Sequence, residues 1–390
     1  MRVPLLDLQT QYRGIREEIR YAVDEVLESQ QFVLGPQVRQ LEEAVAAYAG
    51  VAHAIGMSSG TDALLAALMA VGVTPGDMVI VPVFSFFATA GAAVRLGAIP
   101  LFVDIDPATF NIDPIQMRKR IDALSASERE RLKAIIPVHL YGQCAEMAPV
   151  LEVAETYGVA VVEDAAQAIG AQCRDGRCAG SMGRAGCLSF FPTKNLGGAG
   201  DGGMVLTNDA HLAARLRMLR VHGAELKNHH PLIGGNFRLD TLQAAIVQVK
   251  LRYLDQWIKA RQARAEKYVE LLAESGLLGE RGVAIPETRY RATGVPRYHV
   301  FHQFVIRVPY REHLRGYLRE AGIETEVYYP VPFHLQECFR PLGYGVGDFP
   351  EAERAARGNL AIPMYPELTE EQQVYVVDRI SSFLKSRPEG

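Results

Sequence analysis

The 390-residue chain has no block of lysine and arginine: 41 basic and 45 acidic residues are interspersed and leave a net charge of −4. That balance lacks the electrostatic footprint that binding to nucleic acid or an anionic membrane surface requires. The beginning, MRVPLLDLQTQYRGIREE, has no apolar core of a secretory leader, and no stretch approaches the roughly 18 uninterrupted apolar residues of a membrane span. The expectation is a cytoplasmic protein with small-molecule partners, and with neither nucleic acid nor membrane among them. Cysteine is sparse too. Cys144, Cys173, Cys178, Cys187 and Cys338 are odd in number and scattered, without zinc-site spacing or a paired framework. They read as free thiols, and no metal is expected.

What the chain has is apolar residues, 48% of the total. That is enough to bury a large core, and at about 100 to 200 residues per domain the length suggests two or three domains. Short apolar runs alternate with helical patterns: DMVIVPVF (77–84), IPLFVDID (99–106), LKAIIPVHLYG (132–142), GVAVVEDA (158–165), GCLSFF (186–191) and GMVLTND (203–209). Continuous apolar strands separated by helices predict a sheet covered on both faces. Residues from about 15 to 245 therefore read as one doubly wound α/β domain, with ligands at its strand ends.

After residue 245 the pattern changes to one long charged amphipathic helix (242–276), then an alternating strand, YHVFHQFVIRV, and a final helix after PELTEEQ. This predicts a smaller α+β domain. The division is 1–245 and 246–390, with the N-terminal segment a candidate to pack on the smaller domain. The cleft between the two is the expected site.

Three stretches carry chemistry. VVEDAAQAIGA ends a buried-type strand on Glu163 and Asp164; a carboxylate there is costly to bury, or else serves as an ordinary helix N-cap. MSSGTDALLAALMAVG sets small and hydroxyl residues before a helical run, which is either an anion site made by free N–H groups and the helix dipole or simply a capped helix. SFFPTKNLGGAGDGG places Lys194 in a turn, with five glycines in the next nine residues that allow close approach of a flat ligand. Alone, such a lysine is usually a solvated surface residue.

Taken together, a lysine for carbonyl chemistry, a strand-end aspartate and a phosphate cradle describe pyridoxal phosphate more economically than three coincidences. Lys194 would hold the cofactor aldehyde as a Schiff base and then move a proton. Asp164 would pair with the pyridine nitrogen. Gln167, three residues on and one turn away if a helix has begun, would reach the ring's phenolic oxygen.

SSGTDAL, VPVFSFFAT, VEDAAQAIGA, SFFPTKNLGGAGDGG and NFRLDTLQAAI, in this order and spacing, resemble the DegT/DnrJ/EryC1/StrS sugar aminotransferases, within the fold type I pyridoxal phosphate enzymes. The resemblance runs nearly end to end, through YYPVPFHLQ and LAIPMYPELTEEQ. It implies that Gly60, Thr61 and Ser189 bind the cofactor phosphate and that Phe86 stacks on the pyridine ring, with Phe84 or Phe87 as alternatives in the core. It implies a homodimer in which Asn236 reaches the phosphate from the partner subunit and Arg238 contacts substrate. Relatives that dehydrate sugars carry His at the lysine position, so Lys194 argues for transamination. The implied reaction moves an amino group from an amino acid, usually L-glutamate, to a nucleotide-linked keto sugar. VHLYGQ and YYPVPFHLQ look more like members acting on 3-keto than on 4-keto sugars, with His139, Tyr329 and His334 as candidate sugar contacts or as packing residues. Two other classes stand beside this reading. A nicotinamide-dependent oxidoreductase would show G-x-G-x-x-G after its first strand, whereas GGAGDGG follows a late one. A non-catalytic regulatory protein on the same fold would lack cofactor absorbance.

Overall fold

Six of the seven strands in the main sheet run in one direction, and that shared direction brings their carboxyl ends to one edge. A computed structural model describes residues 1–279 and 282–386. The strands are β1 (His53–Met57), β2 (Met78–Pro82), β3 (Ile99–Val103), β4 (Leu132–Ile135), β5 (Ala160–Asp164), β6 (Ala185–Ser189) and β7 (Gly203–Thr207). Their order is β1-β7-β6-β5-β4-β2-β3, and β7 alone is antiparallel to its neighbours. Every residue of β2 and β7 is buried, the consequence of uninterrupted apolar runs covered by helices on both faces. The helix Gly60–Ala70 lies on β5, β6 and β7, and Pro36–Ala49 covers β1.

A second, antiparallel sheet pairs β8 (Phe304–Arg307) with β9 (Asn359–Ile362). Helices Leu254–Glu274, Arg311–Glu320 and Glu370–Lys385 accompany it. Thr369 and Gln372 close a reciprocal capping box on the last helix, so it starts inside TEEQ rather than after it. The N-terminal segment joins this part of the chain: Val3 bridges to Ile323 and its N–H donates to Gly322 O at 2.9 Å.

Two expectations are corrected. The long helix after residue 241 is two helices, Thr241–Leu251 and Leu254–Glu274. At the break the N–H groups of Arg252 and Tyr253 bond three residues back, to Val249 and Lys250. Glu18 of the first helix holds both residues, accepting from the Arg252 guanidinium at 2.7 Å and from the Tyr253 hydroxyl. No helix follows Asp164 either. Residues 165–170 are turns, so Asp164 is not an N-cap; its Oδ1 instead accepts from Ala166 N at 3.2 Å.

Candidate active site

Strand alternation decides what each half of the Glu163–Asp164 pair does. Successive side chains leave opposite faces of β5, and the two carboxylates end in different surroundings. Glu163 is fully buried among four donors: Gly180 N (2.9 Å), Met182 N (2.6 Å), Gly183 N (2.6 Å) and the His139 ring (2.8 Å). Ala145 N–H donates to His139 Nδ1 at 2.9 Å, which fixes the proton on Nε2, where it donates to Glu163. This is a structural brace against the back of the sheet.

Asp164 faces the other way, into a cleft of about 680 Å³. Its Oδ2 accepts from Thr89 Oγ1 at 2.7 Å, and Thr89 in turn stands 3.0 Å from Ser85 Oγ. Because Thr89 gives its only proton to Asp164, Ser85 donates to Thr89. Burial raises the Asp164 carboxyl above its ordinary value, while Thr89, the Ala166 amide and Lys194 pull the other way.

Around Asp164 the cleft is lined by Ser59, Gly60, Thr61, Ser85, Phe86, Gln167, Ser189, Lys194, His302 and Tyr329, among others. The cradle side forms where β1 and β6 end together. Ser59 caps the helix Gly60–Ala70 by accepting from Asp62 N, leaving the first-turn amides of Gly60 and Thr61 at the cleft. A Cβ on Gly60 would sit 2.7 Å from Ser189 Cβ, so only glycine lets the helix start come this close to the Ser189 hydroxyl. Phe86 is 56% exposed, its ring 6.3 Å from that of Tyr329, whereas Phe84 is buried and Phe87 packs on Phe333 and Phe339. Gln167 gets there by a turn rather than a helix. Its Oε1 accepts from Tyr141 N at 2.7 Å and its Nε2 donates to Tyr329 Oη at 2.9 Å.

Lys194 stands on a turn closed by its own N–H to Phe191 O (2.9 Å) and by Gly198 N to Phe190 O (2.7 Å). Burial pushes its ammonium down to about 8, against the opposing pull of Asp164. An amine that loses its proton near neutrality is what nucleophilic attack on a carbonyl needs. Asn195, the next residue, donates to Val300 O at 2.8 Å, and its carbonyl meets His302 Nδ1 at 3.2 Å. Burial, with the nearby positive charges of Lys194 and Arg261, holds His302 well below the ordinary histidine range. Neutral His302 therefore donates from Nδ1 to Asn195.

Not all the expected residues meet. Gly60, Thr61, Phe86, Asp164, Gln167, Ser189, Lys194 and Tyr329 share the cleft. His139 and His334 do not line it: His139 belongs to the Glu163 brace, and His334 is buried 3.1 Å from Glu353 and packed on Phe349. Their expected role as sugar contacts is corrected to packing, the alternative reading of the same motifs. His139→Ala should accordingly destabilise the protein by about 3 kcal/mol by leaving a buried carboxylate short of a donor, with the Michaelis constant for substrate unchanged; thermal melts and initial rates check this. Asn236 and Arg238 also lie outside the cleft of their own chain, Asn236 bridged to Val221 and Arg238 to Met57. Ser85, Thr89 and His302 are the residues sequence reading passed over. The first two stand in the VPVFSFFAT run already singled out, while a strand-flanking histidine such as His302 carries no signal of its own.

Comparison with known proteins identifies the family. Residues 13–381 match the model of the DegT/DnrJ/EryC1/StrS aminotransferase family. The chain is 51% identical, over 99% of each chain, to a "Pleiotropic regulatory protein" of Geobacillus stearothermophilus. It is 42% identical, over 100% of this chain and 98% of the other, to a UDP-N-acetyl-3-dehydro-alpha-D-glucosamine 3-aminotransferase of Acidithiobacillus ferrooxidans. Among solved structures, S. venezuelae DesV in complex with a ketimine intermediate superposes with a TM-score of 0.90 at 39% identity, over 100% of both chains. The residues present fit the family's cofactor: an amine on a turn, a buried carboxylate, an exposed aromatic face and a cradle that only glycine permits. The chain belongs to the DegT/DnrJ/EryC1/StrS aminotransferase family, enzymes of fold type I that depend on pyridoxal phosphate.

Proposed function

We propose that this enzyme moves an amino group from L-glutamate to the C3 keto group of a nucleotide-linked sugar, with Lys194 and Asp164 as its catalytic pair. The observation that carries the reading is the placing of the Lys194 amine and the Asp164 carboxylate in one cleft beneath the Gly60–Ser189 cradle. Pyridoxal phosphate supplies the carbonyl carbon that takes the amine and a ring that accepts electrons. Ser189 and the amides of Gly60 and Thr61 hold the phosphate, Phe86 covers one face of the ring, and Gln167 meets its phenolic oxygen. Asp164, raised by burial and oriented by Thr89, keeps a proton on the pyridine nitrogen. Lys194 takes and returns the substrate proton. The C3 choice is supported by the 42% identical Acidithiobacillus relative, a 3-aminotransferase.

Incubation with glutamate and a panel of 3-keto and 4-keto nucleotide sugars, read by mass spectrometry, tests the assignment. An amine formed only from 4-keto sugars refutes the C3 choice. A non-catalytic regulatory reading has one observation in its favour, the 51% identity to the Geobacillus pleiotropic regulatory protein; purified protein without cofactor absorbance and without half-reaction would support it.

The depressed Lys194 value sets a pH expectation. Its free amine grows as pH rises through about 8, so cofactor-free protein should take up pyridoxal phosphate faster up to that pH and level off beyond it. Stopped-flow absorbance measures this, and a rise continuing to the ordinary lysine range contradicts the burial argument.

The working unit in this proposal is a cytoplasmic homodimer in which Asn236 and Arg238 complete the partner's cleft. Lys194→Ala and Arg238→Ala chains, unfolded and refolded together, would form mixed dimers with one intact site. Random pairing makes about half the dimers mixed, so activity near a quarter of wild type is expected if the sites act independently. A mixture that stays inactive contradicts shared sites.

A further inference from the structure

A second buried lysine stands behind the turn that carries Lys194. Lys250, on the helix Thr241–Leu251, is 8% exposed and does not line the cleft. Its Nζ donates to the Gly197 carbonyl at 2.7 Å. Among the described residues it makes no ion pair, and nothing nearby offsets the burial that depresses its ammonium. An ammonium buried without a counter-charge is costly, and an apolar side chain of similar length would fill the same space without that cost. The charge is therefore informative about what it holds.

Gly197 is the tightest point of the turn. A Cβ there would lie 2.4 Å from the Pro192 carbonyl oxygen, so only glycine lets the chain close this near the Phe191–Pro192 backbone that leads into Lys194. The same helix takes a second hold, since Gln243 Oε1 accepts from Ala199 N at 2.8 Å. From the opposite side, Asn195 is tied to Val300. The turn is thus clamped between the helix Thr241–Leu251 and the segment leading to β8, and Lys250 supplies the charge-assisted bond of the clamp.

We propose that Lys250 is a positioning residue: through the Gly197 carbonyl it fixes the turn that aims the Lys194 amine into the cleft. The inference rests on Lys194 being the residue that carries the cofactor, but its first readout does not. Hydrogen exchange in the cofactor-free protein measures the amides of residues 194–200 in wild type and in Lys250→Met, which keeps the length and removes the donor. Exchange in this segment should rise about tenfold with the rest of the protein unchanged. In the loaded enzyme kcat should fall by about the same factor at an unchanged Michaelis constant for the keto sugar, with Lys250→Arg restoring both. Should Lys250→Met fail to fold, Lys250→Leu, which also lacks the donor, is the second variant, with the same local loosening expected. Wild-type exchange in the substituted protein, or a rise spread evenly over the whole chain, overturns the proposal. A wild-type enzyme whose cofactor sits on another residue refutes instead the reading on which it rests.

Discussion

Lys194→Ala is expected to abolish amino transfer while leaving the protein folded. The bonds that close the turn are made by the backbone, from Lys194 N to Phe191 O and from Gly198 N to Phe190 O, and alanine keeps both. The sign of the linkage agrees. Burial lowers the folded-state ammonium to about 8, so below that pH the lysine is charged in the folded and unfolded states alike, and the folded state carries the cost of desolvating it. Removing the side chain at neutral pH therefore relieves a penalty, and the melting temperature should hold or rise slightly. No other group replaces the chemistry, because among the described residues no other lysine lines the cleft. Turnover assays and thermal melts together check this; residual activity above a few per cent, or a collapsed fold, contradicts it.

Asp164→Asn should leave a folded protein that binds cofactor and transaminates roughly 10² to 10³ times more slowly, the usual scale for losing one preorganised electrostatic partner. Asparagine fills the same space: its Oδ1 still accepts from Ala166 N, bonded to Asp164 at 3.2 Å, while its Nδ2 takes the place of the oxygen 2.7 Å from Thr89 and donates to the Thr89 hydroxyl, whose own proton turns to Ser85. It carries no charge with which to hold a proton on the pyridine nitrogen. Because burial already raises this carboxyl, the uncharged side chain costs the fold little, so any stability change should be small. Near-native turnover would remove the electron-sink role from Asp164.

How much of this was legible depended on which force set each element. β2, β5 and β7 announced themselves because strands buried on both faces must be apolar throughout. β1 did not, since His53-Ala-Ile-Gly-Met is short and broken by a polar residue and a glycine; it pairs with β7 and is covered by the helix Pro36–Ala49. The helix break at Arg252–Tyr253 carries no local signal: neither residue is a helix breaker, and the side chain that bonds to both, Glu18, lies more than two hundred residues earlier in the chain. That Asp164 and Lys194 would meet in one cleft was readable from position and residue type together, while Ser189, which lines it too, was drawn from the family resemblance. His139 and His334 misled for the same reason that Asp164 did not: a histidine near a strand end looks alike in sequence whether it faces the cleft or the core, and only the pairings with Glu163 and Glu353 separate the cases. His302 reaches the cleft through the tertiary contact with Asn195, which no local pattern encodes.

The claim on which everything else depends is that Lys194 carries the cofactor, and burial alone does not decide it. Lys250 is depressed to about 8 as well, so a site chosen by amine basicity would be ambiguous between the two. Geometry separates them: Lys194 lines the cleft with Asp164, whereas the Lys250 amine is engaged with Gly197. Borohydride reduction of the purified holoenzyme, followed by proteolysis and mass spectrometry, reads the answer directly. The account predicts a single pyridoxyl label on the peptide containing Lys194, whereas a label on Lys250, or on the surface residues Lys133 or Lys227, would contradict it.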